Sequence, residues 1–203
     1  MQKERPAGLT RGDPKYTWDD TVAAIGKDFS GGAVQVGQEK IDYATISRFC
    51  EPWEIGNPIY WYRDVAKQAG YRGVVAPWSS IKQTFTYSNL WRPGDPPRFS
   101  SNDPNADSRW AVVPDKRRKE VPLPPHSNGL VTEVQIEFFE PACVGDRLTV
   151  KGDKVANVRV RETRIGFGAF VNRENEIFNQ RGELVARVNQ GNYAYISAKL
   201  RQQ

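Results

Sequence analysis

The rhythm of apolar positions changes about two thirds of the way along the chain. Beyond Asn128-Gly129, the run Leu130-Val131-Thr132-Glu133-Val134-Gln135-Ile136-Glu137-Phe138 alternates apolar and polar from Thr132. A period of two is the mark of a strand with one buried face. Residues 147–158 predict a further strand pair, and 165–175 and 177–195 predict two more strands. Gly145-Asp146 reads as a turn, and Asn179-Gln180-Arg181-Gly182 reads as a hairpin connection. Upstream the spacing is helical. Tyr43, Ile46 and Phe49 share a face, Asp42 suits the N-cap and Pro52 closes the segment, so residues 42–51 predict an amphipathic helix. A second helix is predicted from Pro58, capped by Asn57, carried by Ile59, Tyr62, Ala66 and Ala69, and stopped at Gly70. Between residues 21 and 29 a short helix or turn is expected, ended by Gly31-Gly32, with a brief extended piece over residues 33–36.

Helices first and about four long strands afterwards make an α+β domain with an antiparallel sheet. Residues 1–20 read as a loosely packed part of an N-terminal leader, 1–32, and residues 33–200 as a single domain. Residues 92–128 interrupt that domain. More than half of the chain's 14 prolines fall there, around an Asn/Asp/Ser-rich middle with too few apolar residues for a core of its own. We read this stretch as an insertion loop, since a loop of that length is commonly functional or mobile.

Composition narrows the function classes. The chain has 203 residues and 38% hydrophobic content, enough for a buried core. No apolar run reaches the length of a transmembrane helix, and the polar N-terminus lacks a signal segment, so a cytoplasmic protein without membrane contact is expected. Cys50 and Cys143 are far apart and belong to no metal-ligand pattern. The net charge of +5 admits a polyanionic partner. Its excess, however, sits in short clusters such as Lys116-Arg117-Arg118-Lys119, which read as solvated faces or as contacts for CoA phosphates. With no recognition motif beside that charge, nucleic acid is not an expected partner.

Four segments in order carry a family resemblance. They are Asn57-Pro58-Ile59-Tyr60 with Asp64-Val65-Ala66 and Ala69-Gly70-Tyr71; Gly73-Val74-Val75-Ala76-Pro77; Phe138-Phe139-Glu140-Pro141 with Val144-Gly145-Asp146-Arg147-Leu148; and Asn179-Gln180-Arg181-Gly182-Glu183-Leu184-Val185-Ala186. Together they resemble the MaoC-like dehydratases and (R)-specific enoyl-CoA hydratases over residues 40–196. The resemblance implies a hot-dog fold, in which a curved antiparallel sheet wraps a central α-helix. It also implies CoA thioester chemistry with no metal or redox cofactor.

The family's chemistry uses an Asp two residues before the Asn and a His two after the Pro, sharing one water. Here Ile55 and Tyr60 occupy those positions. Isoleucine moves no proton, and a tyrosine, with an unperturbed pKa of ~10, is a poor base at neutrality. Trp78 stands where the family has a small residue whose backbone N–H holds the thioester oxygen. Two displaced candidates remain: Glu54 as base, against its reading as an exposed carboxylate at a helix start, and Tyr60 as acid, against its reading as a packing aromatic. Asn57, Tyr60, Val75, Ala76 and Trp78 are the candidate substrate contacts, Asn57 also being a natural cap. His126, the only histidine, sits beside the insertion and reads as structural, solvated or catalytic. Neither cysteine has a histidine near it in sequence to activate a thiol nucleophile, and Gly166-Phe167-Gly168 is too short to suggest a nucleotide site. Trp53, Trp61, Tyr62, Trp78, Phe85, Tyr87 and Trp91 crowd the helical half, as expected of a subunit contact or a wide apolar pocket.

In the resembling family two hot-dog units pair with acyl-CoA bound between them, and in some members one unit is degenerate. The expectation is therefore a non-catalytic, acyl-pocket-shaping subunit of an enoyl-CoA hydratase or 3-hydroxyacyl-CoA dehydratase. Its partner would be a second hot-dog subunit carrying the Asp/His pair, or itself as a homodimer. Open alternatives are a self-sufficient hydratase or acyl-CoA thioesterase using Glu54 or a relocated group, and an acyl-CoA-binding regulatory protein.

Overall fold

The computed structural model describes residues 7–86, 91–95, 97 and 115–201. The described chain divides into two compact units. Unit 1 takes residues 1–34, 117–140 and 150–203, and unit 2 takes residues 35–116 and 141–149. Most of the proline-rich stretch 92–128, and Tyr87 with it, lies outside the described residues.

Unit 1 is built on four long strands, of which only the first carried a period-two pattern in the sequence. These are β2 (Asn128–Phe138), β3 (Thr149–Thr163), β4 (Gly166–Phe178) and β5 (Leu184–Ser197). With β1 (Val34–Val36) they form one sheet in the order β1-β3-β4-β5-β2. β5 pairs antiparallel with both β4 and β2. Residues 147–158 were expected to hold two strands; residues 149–158 belong instead to one strand of 15 residues, Thr149–Thr163. The reason lies at Gly152, whose φ of +76° is absorbed within the strand without turning it.

The β4–β5 connection is the expected hairpin. Gly182, at φ +81°, donates its N–H to the Asn179 carbonyl. Buried Asn179 accepts the Arg181 and Glu183 N–H groups on Oδ1, at 3.0 and 3.1 Å. One sheet face carries an apolar cluster of Ala24, Val121, Val155, Val158, Ala169 and Val171, with Trp18, Phe29 and Leu123 packed against it.

The leader, expected to be loosely packed, is tied to this unit from Arg11 onward. Asp13 N–H bonds the Leu123 carbonyl, and Arg11 and His126 exchange two backbone bonds of 3.1 Å. The first helix, α1 (Trp18–Val22), begins earlier than expected because Thr17 and Asp20 form a capping box.

Unit 2 carries the short helical pieces α2 (Tyr43–Cys50), α3 (Arg63–Gln68) and α4 (Ile81–Thr84). α2 matches its pattern: Asp42 Oδ1 accepts the Thr45 N–H at 2.9 Å, and Ile46 and Cys50 are buried. The long second helix expected from Pro58 to Gly70 is not continuous. Pro58–Tyr60 forms a 3₁₀ turn, Tyr62 takes an extended conformation (φ −120°, ψ 117°), and only then does α3 begin. Three consecutive aromatics, Tyr60-Trp61-Tyr62, lose side-chain freedom in a helix. The Trp61 indole also finds a better partner outside one, donating Nε1–H to the Ile55 carbonyl at 2.7 Å. α3 stops where expected. Gly70, at φ +91°, closes a Schellman pair, with Tyr71 N–H bonded to the Ala66 carbonyl and Gly70 N–H to that of Lys67. Among the described residues, no helix is long and apolar enough to cross a membrane.

Candidate functional site

Glu54, Asn57, Tyr60, Val75, Ala76 and Trp78 all belong to unit 2. α2 runs into a 3₁₀ turn, Glu51–Trp53, because Pro52 removes the donor that another α-turn would need. Glu54 follows at φ 50°, the only non-glycine of the described residues with positive φ, and this left-handed step ends the turn. Ile55 N–H returns to the Cys50 carbonyl at 3.1 Å. Asn57 then caps the next turn, its Oδ1 accepting the Ile59 N–H at 3.2 Å. Asn57-Pro58 is thus a structural device in its own right, with the cap that its sequence predicts.

The crossing segment after α3 is buried from Gly73 to Pro77. Val75 N–H bonds the Ile59 carbonyl at 3.2 Å, which brings the candidate contact Val75 beside the Asn57 turn. On its other side, Ala76 N–H bonds the Ala142 carbonyl (2.8 Å), and Val144 N–H bonds the Val74 carbonyl (2.9 Å). Trp78, half-buried, opens a 3₁₀ turn over Trp78–Ser80, where Ser80 Oγ donates to the Pro77 carbonyl at 2.6 Å.

One pair of residues in this frame escaped the sequence reading. Asp146 is buried and accepts both Nη1 and Nη2 of Arg72, at 3.2 and 3.0 Å, while its Oδ2 accepts the Cys143 N–H at 2.9 Å. It therefore fastens the crossing segment to the Gly145 turn. Asp146 stands in a turn signature that was legible; nothing in the sequence marks Arg72, 74 positions away, as its partner.

The chemistry open to these side chains is narrow. Tyr60 is half-buried, and burial raises its phenol pKa above the ordinary value, with Cys50 and Tyr71 adding to the rise. The hydroxyl therefore stays protonated at neutral pH and is available as a donor, not a base. Glu54 is exposed, and no hydrogen bond joins it to Tyr60 among the described residues. Cys50 and Cys143 are buried free thiols whose pKa values are pushed up by desolvation, away from the thiolate a nucleophile needs. Among the described residues, no three His, Cys, Asp or Glu side chains converge as a metal-ligand set. His126 belongs to unit 1 and is buried, its Nδ1 2.8 Å from the Pro124 carbonyl.

The crowded aromatics divide. Phe85 is buried, Trp61 and Trp78 are half-buried, and Trp53 and Tyr62 stand 73% and 63% exposed. An indole so exposed contributes nothing to a core, so the aromatic excess in this half is in part surface.

Two kinds of likeness bear on the chain, one to a family model and one to solved structures. Residues 23–188, more than half of it, match the family model described as "FAS1-like, dehydratase domain region". The fold is similar to that of the ChsH1-ChsH2 complex of Mycobacterium tuberculosis, at TM-score 0.62 and 19% identity, covering 89% of this chain and 97% of that one. It is also similar to a MaoC-like dehydratase from Rhodospirillum rubrum (TM-score 0.52, 17% identity, 85% and 93% covered). A third likeness is to HadBC, a (3R)-hydroxyacyl-ACP dehydratase complex of Mycobacterium tuberculosis (TM-score 0.50, 16% identity, 80% and 96% covered). No curated protein sequence matches the chain. With the strand order above, these likenesses identify the hot-dog fold.

Proposed function

We propose, because this chain belongs to the FAS1-like dehydratase-region family, that it is a subunit of a heteromeric enoyl-CoA hydratase or 3-hydroxyacyl-CoA dehydratase and supplies scaffold in place of acid and base. The observation that carries the reading is the Asn57-Pro58 turn. It is fully formed, yet Ile55 and Tyr60 stand where the resembling hydratases have their Asp and His. An apolar side chain and a phenol held protonated cannot activate a water between them. Asn57, Val75, Ala76 and Trp78 then line the acyl pocket of the pair without moving protons.

A second hot-dog subunit is the partner in this reading. ChsH1-ChsH2 and HadBC are complexes of two different chains. Here β2 ends the strand order, an 11-residue strand with Leu130, Val131 and Val134 exposed at 39%, 56% and 47%. A long apolar edge strand is a template for another chain's strand. We assign the complex to the cytoplasm, acyl-CoA as its substrate, and no cofactor to this subunit.

The self-sufficient enzyme has one observation in its favour: Glu54 holds a left-handed backbone, a feature that collects at functional sites. Crotonyl-CoA hydration and thioester hydrolysis by the homogeneous chain separate the two. The expected result is no turnover alone, and hydration when it is co-purified with a hot-dog chain bearing the intact Asp-x-Asn-Pro-aliphatic-His sequence. Turnover by the chain alone that Glu54→Gln abolishes would overturn the subunit reading.

A further inference from the structure

Unit 1 holds two neighbouring cavities, of about 400 and 310 Å³, that share Val121, Leu123, His126 and Arg173 as a common wall. Neither includes a residue of the Asn57 turn or of the crossing segment. Their electrostatics differ. The smaller is mixed, with Asp13, Glu120 and Asp153 among Arg118, Lys119 and Arg173. The larger has two guanidinium groups, Arg11 and Arg173, and no carboxylate in its lining.

The cationic groups of the larger cavity are held in position. Arg11 is fixed to His126 by the two reciprocal backbone bonds of 3.1 Å. Its neighbour Gly12, at φ +78°, lies so close to Pro124 that a Cβ there would meet the Pro124 carbonyl oxygen at 2.1 Å. The Arg11 guanidinium reaches across to the start of β2, where Nη1 lies 3.1 Å from the Cβ position of Gly129. Among the described residues no carboxylate pairs with it. Arg173 is oriented by a two-point pair with Asp153, Nε to Oδ1 at 2.7 Å and Nη2 to Oδ2. The His126 imidazole, 5% exposed, is fixed through Nδ1 on the Pro124 carbonyl. Gln190 and Asn192 add amide groups, and Val131, Val171 and Ala194 complete an apolar floor.

From this arrangement we infer that the larger cavity is a binding site for a small amphipathic carboxylate, a medium-chain free carboxylic acid. Its head would sit between Arg11 and Arg173, and its tail would lie on Val121, Leu123, Val131 and Val171. A cavity of this size, mostly apolar with a few convergent polar groups, suits a small ligand. A guanidinium with no carboxylate partner is the fork geometry that carboxylates take. The inference does not rest on the hydratase reading and uses none of Glu54, Asn57, Tyr60, Val75, Ala76 or Trp78.

His126 supplies the test, because it is the only histidine in the chain. Its ring carbon–proton signals form a single resolvable set in a two-dimensional NMR spectrum. Titration of the whole chain with octanoate is expected to shift those signals saturably, with Kd in the range of about 10 μM to 1 mM. 1-Octanol, with a tail and no charge, and acetate, with a charge and no tail, are expected to cause no saturable shift over the same range. Arg11→Gln should weaken octanoate about tenfold. Val131→Glu, at an exposed position of β2, adds a carboxylate to the lining and should weaken it at least as much while leaving the fold intact. No saturable shift with octanoate, equal shifts with octanol, or unchanged affinity in a folded Arg11→Gln or Val131→Glu chain would each overturn the assignment.

Discussion

The β4–β5 hairpin and the stretch from Glu51 to Ala76 are held by opposite means. The hairpin is a ladder of 13 partnered positions with one register shift, at Ile177/Phe178. Each rung repeats the same backbone bond, and specificity comes from which side chains face inward. The Glu51–Ala76 stretch has no ladder. It is two 3₁₀ turns, a six-residue helix and a buried crossing segment, joined by single bonds from Asn57, Trp61 and Val75 and by the two-point Arg72–Asp146 pair. A ladder tolerates the loss of one rung better than a chain of unlike contacts tolerates the loss of one link. Side chains in the second kind of structure are therefore the ones whose individual removal should be felt.

The hairpin has its own exception, which tests that contrast hardest. At Gly168 a Cβ would lie 2.0 Å from the Ala194 carbonyl oxygen, a backbone atom that cannot step aside without opening the ladder. Gly168→Ala should cost about 3 kcal/mol or more, the scale of an overpacked core, measured by urea denaturation. A cost under 1 kcal/mol would show that the hairpin flexes far more than a regular ladder does.

Next in size is Asp146→Ala. It removes the side-chain clamp between the crossing segment and the Gly145 turn, leaving the buried Cys143 N–H without its Asp146 acceptor and Arg72 without its Asp146 partner. Arg72 is half exposed and returns to water, so the expected loss is about 2–3 kcal/mol, less than for a fully buried ion pair. Asn57→Ala removes only a cap and should cost about 1 kcal/mol. If Asn57→Ala matched Asp146→Ala, the turn and not the Arg72–Asp146 clamp would be the keystone of this stretch.

Two smaller effects sharpen the picture. Glu54→Gly relieves a left-handed non-glycine at the price of a more flexible unfolded chain, and a net gain of about 0.5 kcal/mol is expected in thermal denaturation. Cys50 and Cys143, buried and with raised pKa values, should ignore a thiol reagent at pH 8 until denaturant is added. Rapid labelling of the folded chain at either thiol would mean that unit 2 opens readily.

Elements that depend on local periodicity were legible in the sequence. β2, β4 and β5, the helix capped by Asp42, the Gly70 stop and the Asn179–Gly182 turn all follow from residues within a few positions of one another. The hot-dog resemblance rested on four such local segments, and the family match covers 23–188. Where the reading of periodicity failed, a specific contact or backbone conformation had intervened. The long helix from Pro58 broke because the Trp61 indole turned back to Ile55. The leader was tied down because Gly12 lets the backbone approach Pro124.

By itself, then, the sequence determined the antiparallel strands of the second half and the capped turns, since each is written in adjacent residues. Only the tertiary structure decided that Asp146 clamps Arg72, that Val75 lies against Ile59, and that Arg11 and Arg173 share a carboxylate-free cavity with His126. These are meetings of residues tens of positions apart. Their partners are selected by where the folded backbone brings them, and no spacing along the chain encodes that.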